Sequence, residues 1–268
     1  MAPFRILDPT LRDQLPPASC ALAVMTKAPQ AGRVKTRLVP PLTPDEAAEL
    51  NKCFLSDTAA AISVCCSGGL RSPNAVSARL HPGAHRAPLQ CSAIAVYTPI
   101  GAESAYTDIL PTNFSLLPQR GDEFGERLYF AVEDLFKCGF ASVCLIDSDS
   151  PTVPAENFAE AVQLLSIGQD RVVLGPSDDG GYYLIGVKKP HGELFEQIDW
   201  STERVLNQTI ERAAEIGLEI KLLPTGYDVD DGASLHRLCN ELLLDTRQND
   251  VAPYTRKFLA NLSTRKKL

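Results

Sequence analysis

Six short apolar runs, CALAVM (20–25), SAIAVYT (92–98), ASVCLID (141–147), RVVLG (171–175), GYYLIGV (181–187) and LEIKLL (218–223), limit what this chain can become. Several are apolar at successive rather than alternate positions, the pattern of a strand buried on both faces. Segments with a helical period lie between them. Thr43-Pro44-Asp45-Glu46 makes a capping box with proline at the first helical position, and Leu50, Phe54, Thr58, Ala61 and Ile62 form one face behind it. Phe124, Leu128, Val132 and Leu135 repeat the pattern, as do Phe158, Ala161, Val162 and Leu165. Two more helices are expected over roughly 232–246 and 252–261. Strands alternating with helices predict a mostly parallel sheet covered on both faces, a three-layer α/β/α arrangement.

The 268 residues are expected to form one α/β domain over 19–268. Residues 1–18, with prolines at 3, 9, 16 and 17, read as a flexible leader. Residues 67–90, rich in Gly, Pro, Ser and Arg and without a period, read as a surface insertion. A net charge of -7 argues against nucleic-acid or anionic-membrane partners, because both require a positive field. No apolar stretch approaches the ~20 residues of a membrane helix, and the N-terminus lacks the apolar core of a signal peptide. The eight cysteines include no C-x-x-C pair and have no metal-ligand spacing with the four histidines. Reduced thiols in a cytoplasmic protein are expected, and the N-x-[ST] triplets at Asn113, Asn207 and Asn261 are then chance matches.

Against that acidic background, MTKAPQAGRVKTRL (25–38) concentrates Lys27, Arg33, Lys35 and Arg37 directly behind the first of the six runs. Ligands of open α/β sheets bind beyond the carboxyl ends of strands, and Gly32 lets the backbone approach one closely. Four cations suit a polyphosphate or sugar phosphate. A solvated loop paired with acidic surface residues is the competing explanation. The stretch is not a Walker A loop, since Val34 precedes Lys35 where glycine is needed.

Other stretches carry complementary chemistry. Asp147 and Asp149 in LIDSDSPTVP sit two apart at a strand end, on one face, where they can share a divalent cation or close an Asx turn. GPSDDGGYYLIG presents Asp179, Gly180 and Gly181 to a sugar or phosphorylated acceptor, or marks a tight turn. GYDVDDGASLHRL offers Asp228, Asp230 and Asp231 before a helix, with Asp230 the choice for a second metal ligand. Ser201 and Thr202 in IDWSTERVL can cap a helix or hold a phosphate. Gly121, Gly125 and Arg127 in GDEFGERL can admit a nucleotide or mark a helix start. No G-x-S-x-G or Cys–His arrangement supports a hydrolase.

Taken in order, KAPQAGRVKTRL, GDEFGER, SDSP, GPSDDGGYYLIG, DWST and YDVDD resemble the rSAM/selenodomain-associated transferase family of the nucleotide-diphospho-sugar transferase superfamily, over roughly residues 20–240. The resemblance implies a Rossmann-like, glycosyltransferase-A-like α/β/α sandwich that binds a nucleotide or nucleotide-sugar donor with Mg²⁺ or Mn²⁺. On that pattern Lys27, Lys35 and Arg37 hold the donor phosphates, and Gly32, Arg33, Gly121, Gly125 and Arg127 join them as donor-side candidates from the motifs read above. Asp147, Asp149 and Asp230 are the metal candidates. Asp179, Gly180, Gly181, Ser201 and Thr202 face a small-molecule acceptor, and Lys35, Asp149 and Asp179 carry the catalytic roles. Three departures stand out: the family usually has a small residue at Asp147, its GxDLGxR reads GDEFGER here, and the leader and the 67–90 insertion have no family counterpart. The expected reaction is glycosyl transfer. The alternatives are nucleotidyl transfer, which four cations would suit, and a nucleotide-binding module without catalysis.

Overall fold

A computed structural model describes residues 4–11, 19–67, 90–244 and 250–266. Eight strands form one sheet: β1 (Arg5–Ile6), β2 (Cys20–Lys27), β3 (Cys91–Thr98), β4 (Phe114–Pro118), β5 (Ser142–Ile146), β6 (Arg171–Pro176), β7 (Tyr182–Val187) and β8 (Glu219–Leu222). Six helices accompany them: α1 (Pro44–Cys66), α2 (Phe124–Lys137), α3 (Ala155–Ser166), α4 (Val205–Glu215), α5 (Gly232–Leu244) and α6 (Pro253–Lys266). The strand order is β1-β4-β3-β2-β5-β7-β6-β8, and only β7 runs antiparallel to its neighbours. All six expected strands are present in a mostly parallel sheet.

Burial explains the apolar runs. Along β2, Leu22 and Val24 enter the core on one face while Ala21 and Ala23 enter the core on the other. Leu55, Ala59 and Ile62 of α1, with Phe158 and Val162 of α3, cover the first face. Leu128, Val132 and Leu135 of α2, with Ala213 of α4, cover the second. The Thr43 capping box forms as expected, its hydroxyl accepting from Glu46 N while the Glu46 side chain accepts from Thr43 N.

Two strands escaped the pattern. β4 is short and ends in proline, yet it pairs with β3 and β1. β1 lies inside the stretch read as a flexible leader, which is corrected for residues 4–11. The cause is apolar anchoring: Phe4 and Leu7 are buried in opposite cores, and Leu7 N donates to Leu116 O at 2.8 Å. The expected insertion at 67–90 lies almost wholly outside the described residues.

A third core lies off the sheet, where Leu50 and Phe54 of α1 meet Leu238 and Leu242 of α5 and Leu259 and Leu262 of α6. Asp57, buried in α1, ties it together. Its Oδ1 accepts from Tyr254 N at 3.0 Å and its Oδ2 from Thr255 N at 2.9 Å, so it caps α6 from a neighbouring helix. Burial raises the Asp57 pKa, and the two amides counter that only in part. Asp57→Ala is expected to cost about 2 kcal/mol in urea unfolding. It should also speed proteolysis near residues 250–256. Unchanged cleavage there would show that α6 is held by its apolar face alone.

Candidate functional site

β3 and β5 lie on opposite sides of β2. The connections therefore diverge at β2, and open α/β sheets form their ligand crevice beyond the carboxyl ends of such strands. A cavity of about 750 Å³ opens there. Lys27, Arg33, Lys35 and Arg37 line it, together with Asp147, Asp149, Asp179, Asp228 and Asp230. The cationic turn and the carboxylates thus share one cleft.

Lys35 stands apart from the other three cations. Its backbone is left-handed (φ 47°), unusual for a residue with a side chain, and it opens the short 3-10 turn Thr36–Leu38. Leu38, fully buried in the third core, anchors that turn. The Lys35 side chain then runs inward with 4% exposure. Its Nζ lies 2.9 Å from Asp149 Oδ1, 2.7 Å from Asp230 Oδ1 and 2.8 Å from the Val229 carbonyl oxygen. The contacts to Asp230 and the Val229 carbonyl are hydrogen bonds, and the contact to Asp149 is an ion pair. Burial works against the Lys35 charge, but Asp149 and Asp230 outweigh it and hold the pKa above the ordinary lysine value. Among the described residues Lys27, Arg33 and Arg37 form no ion pair, and all three line the cleft.

Two chain segments bring the carboxylates together. Asp149 follows β5. The stretch 226–230 runs beside it, Val229 N donating to Asp149 O at 2.9 Å. That stretch is extended, with Tyr227 and Val229 buried in the third core while Asp228 and Asp230 line the cleft. Asp230 is held below the usual carboxylate range by Lys35 even though burial pushes it upward. Asp228 forms no ion pair among the described residues. It accepts from Ser177 Oγ at 3.2 Å, and burial, then Asp179 and Asp230, push its pKa up to about 6.

A carboxyl whose pKa folding raises stabilises the fold below its unfolded pKa, and that contribution is lost as pH rises through the folded value. The window for Asp228 runs from about 4 to about 6. Asp228→Asn should remove the loss and exceed the wild type at pH 7.5 by about 1 kcal/mol, a figure discounted because the side chain is half-exposed. Urea unfolding in EDTA at pH 4.5 and 7.5 measures it. Parallel pH profiles would show that Asp228 is already ionised at no cost.

Asp147 is engaged differently. Its Oδ1 accepts from Asp149 N at 3.3 Å and its Oδ2 from Ser150 Oγ at 2.9 Å, which closes the Asx turn. Burial, then Asp149, raises its pKa well above the carboxylate range. Asp147 therefore does not join Asp149 and Asp230 around a common point. Among the described residues, no three His, Cys, Asp or Glu side chains group as metal ligands. The Asp149–Asp230 pair nevertheless fits a hard divalent cation, because two carboxylate oxygens already converge on a positive charge. Mg²⁺ is commonly held by one or two carboxylates plus substrate phosphates.

The acceptor-side candidates also line the cleft, except Gly180. Asp179 Oδ1 accepts from Gly181 N at 2.8 Å. Gly180 has φ +92°, and a Cβ there would lie 2.2 Å from the Glu203 carbonyl oxygen. Its role is to let 177–181 press against the start of α4, whose Leu206 N donates to Gly180 O at 2.8 Å. Ser201 and Thr202 precede α4 in a turn in which Thr202 Oγ1 donates to Asp199 O at 2.7 Å.

The glycines assigned to the donor side do not line the cleft. Gly32 and Gly121 serve turns at positive φ. Gly125 makes room for Trp200, whose Nε1 would lie 2.5 Å from a Cβ at that position. Arg127 does line the cleft and donates to Asp122 O at 3.0 Å. Sequence reasoning missed Gln119, Phe124 and Trp200 as cleft residues. Asp228 was grouped with Asp230 and Asp231 before the helix but passed over in favour of Asp230, although its two-residue spacing from Asp230 was the available signal.

A family described as an uncharacterized protein conserved in bacteria (DUF2064) matches residues 84–202. No curated protein matches the chain. Among solved structures, a protein of Desulfovibrio desulfuricans G20, provisionally described as a nucleotide-diphospho-sugar transferase, is 27% identical with a TM-score of 0.73. The match covers 93% of this chain and 96% of that one. The 4-diphosphocytidyl-2C-methyl-D-erythritol synthase of Anaerococcus prevotii DSM 20548 gives 11% identity and a TM-score of 0.49, over 85% of this chain and 96% of that one. Glucosyl-3-phosphoglycerate synthase of Mycobacterium tuberculosis, solved with Mn²⁺ and UDP, gives 11% and 0.46, over 94% of this chain and 81% of that one. These two are too distant to bear on chemistry. The fold is thus that of a glycosyltransferase-A-like α/β protein, and its similarity to the D. desulfuricans structure runs over nearly the whole chain.

Proposed function

We propose that this chain is a metal-dependent glycosyltransferase that takes a sugar from a nucleotide-diphospho-sugar donor to a small acceptor. The observation that carries the reading is the cleft beyond β2 and β5, lined by both the cationic turn and the carboxylates. Lys27, Arg33 and Arg37 hold the donor's phosphates. Asp149 and Asp230 hold Mg²⁺ or Mn²⁺, which when bound offsets charge on the leaving phosphates. Asp179, beside the acceptor, takes the proton of the attacking hydroxyl as the glycosyl–phosphate bond breaks and the nucleoside phosphate departs. Phe124 and Trp200, edge to face at 5.2 Å, wall the cleft with aromatic surface.

The likeness to the D. desulfuricans structure, provisionally described as a nucleotide-diphospho-sugar transferase, supports sugar transfer over nucleotidyl transfer. A thermal-shift panel of nucleotide-sugars and nucleoside triphosphates, with and without Mn²⁺, tests the donor class. Metal-dependent stabilisation by a nucleotide-sugar, followed by release of a nucleoside mono- or diphosphate, is expected. Release of pyrophosphate would make the protein a nucleotidyltransferase. Stabilisation without turnover across a panel of sugar and phosphate acceptors would make it a binding module.

A further inference from the structure

We propose that the Lys35 ammonium is an exchangeable stand-in for the divalent cation. It occupies the point between Asp149 and Asp230 in the metal-free protein and is expelled when Mn²⁺ or Mg²⁺ binds there, which frees it to meet a donor phosphate. The inference rests on the metal-dependent reading given above.

Three observations carry it. The first is engagement: with Asp149, Asp230 and the Val229 carbonyl all at 2.7 to 2.9 Å and 4% exposure, the Lys35 ammonium is buried and neutralised by two carboxylates while it stays in place. A phosphate-binding role therefore requires it to move. The second is identity of position. Asp149 and Asp230 each present Oδ1 to the same nitrogen, and they come from segments 81 residues apart in sequence, 149 against 230. An ion held by those two oxygens takes the space the ammonium fills, and like charges do not share it. The third is the lack of a close substitute: among the described residues Lys35 is the cation within ion-pair distance of Asp149 and Asp230, and Arg37 acts on Asp230 only from farther away.

Exchange links two binding events. Metal entry releases the ammonium, and the released ammonium adds a fourth cation to Lys27, Arg33 and Arg37. Metal and phosphate then strengthen each other's binding, as linkage requires.

Pulse acetylation of the wild-type full chain by an amine-reactive ester, read at Lys35 by mass spectrometry, tests the exchange. Lys189, with 66% side-chain exposure, serves as the internal reference. Bound Mn²⁺ is followed in parallel by the loss of free-ion electron paramagnetic resonance signal. Lys35 should resist the ester in EDTA and react about tenfold faster at saturating Mn²⁺, with Lys189 unchanged. Manganese pyrophosphate should suppress the gain. Bound Mn²⁺ with unchanged Lys35 labelling overturns the exchange and leaves the metal-dependent reading standing. Labelling that rises with Mn²⁺ but is unaffected by pyrophosphate overturns the phosphate-contact half. Failure of Mn²⁺ to bind at all overturns the metal-dependent reading together with the exchange.

Discussion

Gly180→Ala should melt about 6–15 °C below the wild type, corresponding to about 3–5 kcal/mol. At φ +92° any side chain is strained, and here the added carbon would meet the Glu203 carbonyl oxygen at 2.2 Å. That contact is with backbone, so no rotamer change relieves it. Either 177–181 or the start of α4 must shift, and the 2.8 Å bond from Leu206 N to Gly180 O goes with it. Gly217 supplies the control. It also has positive φ (+71°), at the end of α4, but nothing lies within 4 Å of an added Cβ. Gly217→Ala should therefore cost only about 1 kcal/mol, the conformational part alone. Equal losses in the two variants would refute the steric argument.

The second large effect is expected at the carboxylates and separates Asp147 from the other two. Asp149→Asn and Asp230→Asn should each lower turnover about 100-fold or more and abolish stabilisation by Mn²⁺. Asp147→Asn should keep both within about threefold. Its oxygens are already committed to Asp149 N and Ser150, and burial favours its uncharged form, which asparagine imitates. Loss of Mn²⁺ stabilisation in Asp147→Asn would restore it as a ligand.

Most of the sheet was legible because its strands are buried on both faces, so their apolar runs are unbroken. β1 was not, since two residues carry no period and only Phe4 and Leu7 flank it. That the cationic turn and the carboxylates share one cleft was legible from charge placement at strand ends. What charge placement could not convey was pairing. Lys35, Arg33 and Arg37 look equivalent in KAPQAGRVKTRL, and only the left-handed backbone at Lys35 sends one of them inward to the acids. The glycines were read as ligand contacts for a similar reason. Sequence reports that Gly125 lacks a side chain, but not that the space left is filled by Trp200, 75 residues further on.

The third core gives the cationic turn a floor. Leu38 is rooted among α1, α5 and α6, and α6 is itself pinned through Asp57. Damage to that distant buttress would loosen the loop bearing Arg33, Lys35 and Arg37, so changes on the far helix would be felt as weaker donor affinity with every cleft residue intact.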